Sequence, residues 1–246
     1  MTIESERDVR QTRSDETAWF SAGALLILAG VATAVSVIRQ WSLCSIGGWS
    51  SQTCWTLKQT MNMLPIQADT LALRVPWAAP SAALGLILAT VAWIAFLILS
   101  SLSRGIKVFG ALVAVPLVIM SIGAWFGVWL VESRVDHGGA WIVVGLIAEF
   151  VAIGFLVYAT MSRGSVDRVT TQRLIVLLFG VTAFGTMHQS AEFILFGLRN
   201  QSATGVPAYL GFGTGLTLVL TGIAVIGMTI WARKKPPRVS DVSIIG

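Results

Sequence analysis

Residues 81–100 read SAALGLILATVAWIAFLILS, twenty positions without a charged side chain. A hydrocarbon layer about 30 Å thick takes about 20 residues of α-helix to cross, so this stretch is long enough to span a bilayer by itself. In lipid its backbone N–H and C=O groups have no water to bond, which restricts it to a helix that satisfies them internally. Outward from it, apolar runs of similar length recur, and together they give spans near Ala18–Ile38, Ala79–Leu102, Ile106–Val131, Ala140–Met161, Leu174–Leu198 and Tyr209–Trp231. The expected fold is all-α, a polytopic membrane protein built as a bundle of six transmembrane helices. The expected organisation is a cytoplasmic N-terminal tail over 1–17, a six-helix domain over 18–231 with a long outer loop at 39–78, and a basic cytoplasmic tail over 232–246.

Composition points the same way. Of 246 residues, 55% are hydrophobic and 12% charged, and the mean hydropathy is +0.77. Such values exclude a soluble, disordered or fibrous chain and leave no room for a separate catalytic domain outside the lipid. The net charge of +5 does not mark a nucleic-acid binder, because the basic residues are scattered among the ends of apolar runs. They read as topology signals. With the N-terminus inside, only Arg39, Lys58, Arg74, Arg134 and Arg199 of the 17 Lys and Arg fall outside, and the positive-inside rule then places both termini in the cytoplasm. Trp41, Trp77, Trp129, Trp141 and Trp231 fall at the ends of runs, where an indole is expected to anchor at the interface. Met1–Thr17 is polar with mixed charge and the run after it is too long for a signal h-region, so the first span is expected to be retained. The alanine- and glycine-rich spans and the preference for Arg in the early loops suit a multi-pass protein of a bacterial plasma membrane.

Cys44 and Cys54 are the only cysteines, and both fall in the outer loop, in an oxidising compartment. A disulfide is expected between them, closing a loop whose Gly47 and Gly48 permit a tight backbone. The C-x-x-C spacing of a thiol-redox enzyme is absent. Thiol alkylation of unreduced intact cells, read by mass, is expected to leave both cysteines unlabelled; labelling of both refutes the bond.

A charge at the bilayer centre costs from about 3 kcal/mol upward unless it is paired, hydrated or neutralised, so each ionisable group inside a span is informative. Glu149 lies roughly 15 Å into the fourth run, near the midplane. In the fifth run Thr182, Gly185, His188, Gln189 and Glu192 recur at three- and four-residue spacing and form one polar stripe on a continuous helix. Three readings stay open. Glu192, His188 and Glu149 form a proton or ion path entering from outside; or they hold helices together, His188 and Glu192 satisfying each other or nearby hydroxyls; or they contact a ligand. Gly211 and Gly215 open the last run as a G-x-x-x-G face for close helix approach. Pro116 is expected to kink the third span.

Several chemistries lack their residues. The second histidine, His137, lies in a short outer turn, so no pair of intramembrane histidines can hold haem. A zinc site from Glu149, His188 and Glu192 lacks the H-E-x-x-H spacing. No glycine-flanked nucleophilic serine, P-loop or dinucleotide fingerprint is evident, and the two halves show no repeat. No cofactor and no metal is expected, and catalysis is not indicated. The expected role is a non-catalytic accessory or binding subunit of a larger membrane assembly, its partners being the bilayer and other membrane subunits or a second copy. The alternative is a small transporter or proton-translocating protein using Glu149, His188 and Glu192.

Overall fold

The computed structural model describes residues 3–47, 78–129, 138–162, 167–199 and 212–234. Among them the chain forms helices α1 (Ile3–Gly47), α2 (Ala78–Leu99), α3 (Arg104–Trp129), α4 (Gly138–Met161), α5 (Arg168–Val181), α6 (Thr186–Arg199) and α7 (Phe212–Lys234). Five of these, α1 over Ser14–Arg39, α2, α3, α4 and α7, are long and apolar enough to cross a membrane, and α5 with α6 forms a further pair bent by 74°. The protein is a polytopic helical membrane protein.

Polar contacts at the two ends of the bundle fix how the bent pair runs. Glu16 of α1 pairs with Arg233 of α7, and Asp15 accepts from the backbone N–H and the hydroxyl of Ser101, just past α2. Arg173, in the second turn of α5, donates to the Met228 carbonyl of α7 at 3.1 Å. The start of α1, the end of α2, the start of α5 and the end of α7 therefore share one end. At the other, Glu192 of α6 bonds the first residues of α7. So α5 and α6 together carry the chain across the bundle as one broken span, the sixth crossing.

Helix α1 is central, with its most extensive contacts to α2 and α7. Lipid gives helices no hydrophobic reason to associate, so close approach depends on small residues. Gly23 and Gly30 of α1 meet Gly222 and Gly215 of the antiparallel α7: a Cβ on Gly30 would lie 2.5 Å from the Gly215 carbonyl oxygen, and one on Gly222 2.5 Å from that of Gly23. Gly215 thus packs inside the bundle, and Gly211 lies outside the described residues. On the α2 side, a Cβ on Gly85 would lie 2.3 Å from the Thr33 hydroxyl. Trp93 is fully buried, stacks on Phe96, meets Phe155 edge-on and donates its indole N–H to the Gly110 carbonyl at 2.9 Å, which satisfies the polar edge of an otherwise apolar ring.

Several expectations are corrected or fall outside the described residues. Helix α1 has 45 residues, about 68 Å at 1.5 Å per residue; most of the tail over 1–17 and the first part of the outer loop belong to it, since no Gly or Pro interrupts the sequence before Gly23. Trp41 is fully buried and is therefore no interfacial anchor, whereas Trp231 is exposed. Helix α3 continues through Pro116, the position of the expected kink. Cys44 lies on α1, but Cys54 and most of the outer loop lie outside the described residues, and with them the proposed disulfide. The fifth run is the largest departure: it is not a continuous helix.

Candidate functional site

The break arises from backbone bonds that tighten and then run out. At the end of α5 the N–H and the hydroxyl of Thr182 both bond to the Leu178 carbonyl, at 3.0 and 2.7 Å. Ala183 N–H then reaches Gly180 O and Gly185 N–H reaches Thr182 O, at 2.9 and 2.7 Å, the shorter i to i−3 pattern on which helices close. A threonine bonding back to the preceding turn favours such a bend. The chain resumes as α6 at Thr186, and a new helix start brings backbone N–H groups with no intrahelical acceptor. Within lipid, where water is not at hand, each one left unsatisfied is expensive.

Glu149 supplies the acceptor. It is the twelfth of 24 residues in α4 and is 5% exposed. Its two carboxylate oxygens accept from Met187 N–H at 3.0 and 2.9 Å, and one of them accepts from His188 N–H at 3.1 Å. The Thr186 hydroxyl also reaches across, donating to the Ile142 carbonyl of α4 at 2.8 Å. Gly185 makes the approach possible, since a Cβ there would lie 2.4 Å from the Glu149 carboxyl carbon. A carboxylate at this point meets both charge-assisted bonds and the positive end of the helix dipole. In transporters with discontinuous helices the same position faces an anionic substrate; here the chain's own side chain fills it.

The arrangement occurs a second time. Glu192, 8% exposed, accepts from Gly213 N–H at 2.8 Å and from the N–H and hydroxyl of Thr214 at 3.0 and 2.8 Å. A Cβ on Gly213 would lie 2.9 Å from its carboxyl carbon. Two helix starts, α6 and α7, are thus each capped by a glutamate from a neighbouring helix, and each has a Gly-Thr pair where the carboxylate arrives. That dipeptide inside or at the head of an apolar run was the signal available in the sequence, and reading the runs by hydropathy alone passes over it.

Residues singled out by sequence are therefore divided between two places. Glu149 and His188 meet at the break, with His188 Nδ1 3.5 Å from a Glu149 oxygen and the imidazole against the Phe179 ring at 4.4 Å. Glu192 turns to α7, so His188 and Glu192 do not satisfy each other, and no shared metal-ligand geometry forms from the three. The single polar stripe is corrected for the same reason: Thr182 precedes the break and His188, Gln189 and Glu192 follow it. Gln189 is 4% exposed, and among the described residues neither its amide oxygen nor its amide nitrogen has a hydrogen-bond partner; the same holds for His188 Nε2. Comparison with protein families, with curated proteins and with solved structures finds no match for the chain.

Proposed function

We propose that the protein is a non-catalytic accessory or binding subunit of a larger assembly in a bacterial plasma membrane, with both termini cytoplasmic. The observation that carries this reading is the engagement of Glu149 and Glu192 as helix caps. A carboxylate that relays protons or ions must exchange partners during each cycle, whereas these two hold backbone amides whose release would leave helix starts unsatisfied in lipid. Small residues between α1 and α7 favour a rigid bundle rather than two halves that rock about a central site.

A second reading has its own support. The broken span, His188 beside Glu149 and the Gln189 amide, which has no hydrogen-bond partner among the described residues, together supply elements of an intramembrane ion path. Purification of the tagged full-length protein in mild detergent, with mass spectrometry and flux assays in liposomes, separates the two. The accessory reading expects co-purified membrane subunits and no flux. A monodisperse monomer or homo-oligomer that moves protons or a solute overturns it.

A further inference from the structure

Away from the helix break, a cavity of about 500 Å³ opens at the end of the bundle where α1 begins. Its walls come from α1, α2, α5 and α7, at the level where the spans starting at Ser14 and ending at Leu99 and Arg233 leave the apolar layer. That is the depth of lipid headgroups. Asp15, Glu16, Asp167, Arg173 and Arg233 line it, with Trp19 below.

Arg173 is the unusual member. It is 8% exposed, and its guanidinium lies 5.6 Å from the centre of the Trp19 ring. Nη2 donates to the Met228 carbonyl, while the buried Nε has no hydrogen-bond partner among the described residues. No carboxylate of the described residues lies within ion-pair distance of it. Asp167, Glu16 and Asp15 act on it only from beyond ion-pair distance, and a guanidinium without a direct carboxylate partner suits the oxygens of phosphate. The neighbouring acids already have partners: Asp15 accepts from Ser101, Glu16 from Arg233, and Asp167 from the Thr170 N–H at 3.0 Å as the cap of α5.

These acids nevertheless shape what can enter. Three carboxylates against two guanidiniums leave the lining with one net negative charge, which opposes a simple anion. Each carboxylate oxygen can accept more than one hydrogen bond, so the acidic rim can still receive an ammonium group. We infer that the cavity binds a phosphate–ammonium zwitterion of the phosphoethanolamine type, its phosphate on Arg173 and its ammonium toward Glu16 and Asp167.

Native mass spectrometry of the full-length protein, released from nanodiscs of mixed phosphatidylethanolamine and phosphatidylglycerol, tests this. Retention of phosphatidylethanolamine is expected to exceed that of phosphatidylglycerol by about tenfold, a difference readily read as an affinity ratio. The preference is expected to vanish in Arg173→Gln, which removes the cation, and in Ala232→Phe, which fills the cavity while leaving Arg173 in place. Where Arg173→Gln does not fold, Ala232→Phe decides. Soluble phosphoethanolamine forms a separate arm: displacement of the lipid at comparable concentration supports the site and assigns it to the free compound, whereas displacement only by lipid assigns it to the membrane. Equal retention of the two lipids, or an unchanged preference in the folded Ala232→Phe variant, overturns the proposal.

Discussion

Glu149→Leu is expected to destabilise the detergent-solubilised protein by about 2–6 kcal/mol, because two buried backbone donors lose their acceptor at about 1–3 kcal/mol each. The donors are Met187 and His188 at the start of α6, and a leucine offers them no acceptor. Glu149→Gln keeps one acceptor oxygen and gives up the charge, so its loss is expected to be about half as large. Thermal melts of the three proteins give the ranking wild type, Gln, Leu. In a flux or partner-binding assay the two functional readings separate: a relay demands that Glu149→Gln abolish activity with the fold intact, while a cap allows function to follow the residual stability. Gly185→Ala is expected to fall on the side of Leu, since its Cβ would lie 2.4 Å from the Glu149 carboxyl carbon. A Glu149→Leu protein that melts like wild type would show that the cap contributes nothing.

The second large effect is expected at the α1–α7 seam. A Cβ on Gly30 meets the Gly215 carbonyl oxygen at 2.5 Å and the Val219 backbone nitrogen at 2.8 Å, atoms that cannot turn aside as a side chain would. Gly30→Ala therefore forces the helices apart and is expected to cost about 1–3 kcal/mol, the usual range for overpacking; Gly30→Leu is expected to leave little folded protein in mild detergent. Gly154 and Gly227 provide the internal controls, because a Cβ at either has nothing within 4 Å. Alanine at those two is expected to shift stability by less than about 1 kcal/mol, with any change favouring the helix. Size-exclusion profiles and melts of the four variants check the contrast, and equal behaviour of Gly30→Ala and Gly154→Ala would refute it.

Much of the architecture was legible because a bilayer imposes one arithmetic on every crossing. The run over 81–100 cannot be anything but a helix in lipid, and its companions follow by length. The break over 182–185 escaped that arithmetic, since hydropathy measures how apolar a run is and carries no information about its direction. Glu149, His188, Gln189 and Glu192 stand out in the sequence because polar side chains are scarce among apolar ones. Their partners do not stand out: the carboxylates bond backbone N–H groups, which every residue has, and only the adjacent Gly185-Thr186 and Gly213-Thr214 pairs hint at where. The seam glycines were hidden differently, as four among 24 in the chain, with a pairing that only the antiparallel approach of α1 and α7 selects.

The direction of the two caps bears on how the chain is made. Glu149 precedes Met187 in the sequence, and Glu192 precedes Gly213, so in both cases the acceptor emerges from the ribosome before the amides it will hold. Synthesis from the N-terminus therefore makes the α4 segment before the bend at 182–185 and the α6 segment before α7. Each helix start is thus made after the side chain that caps it. A chain halted after Met161 has Glu149 but not the amides it will hold, whereas one halted after Arg199 has both halves of the first cap and only the carboxylate of the second.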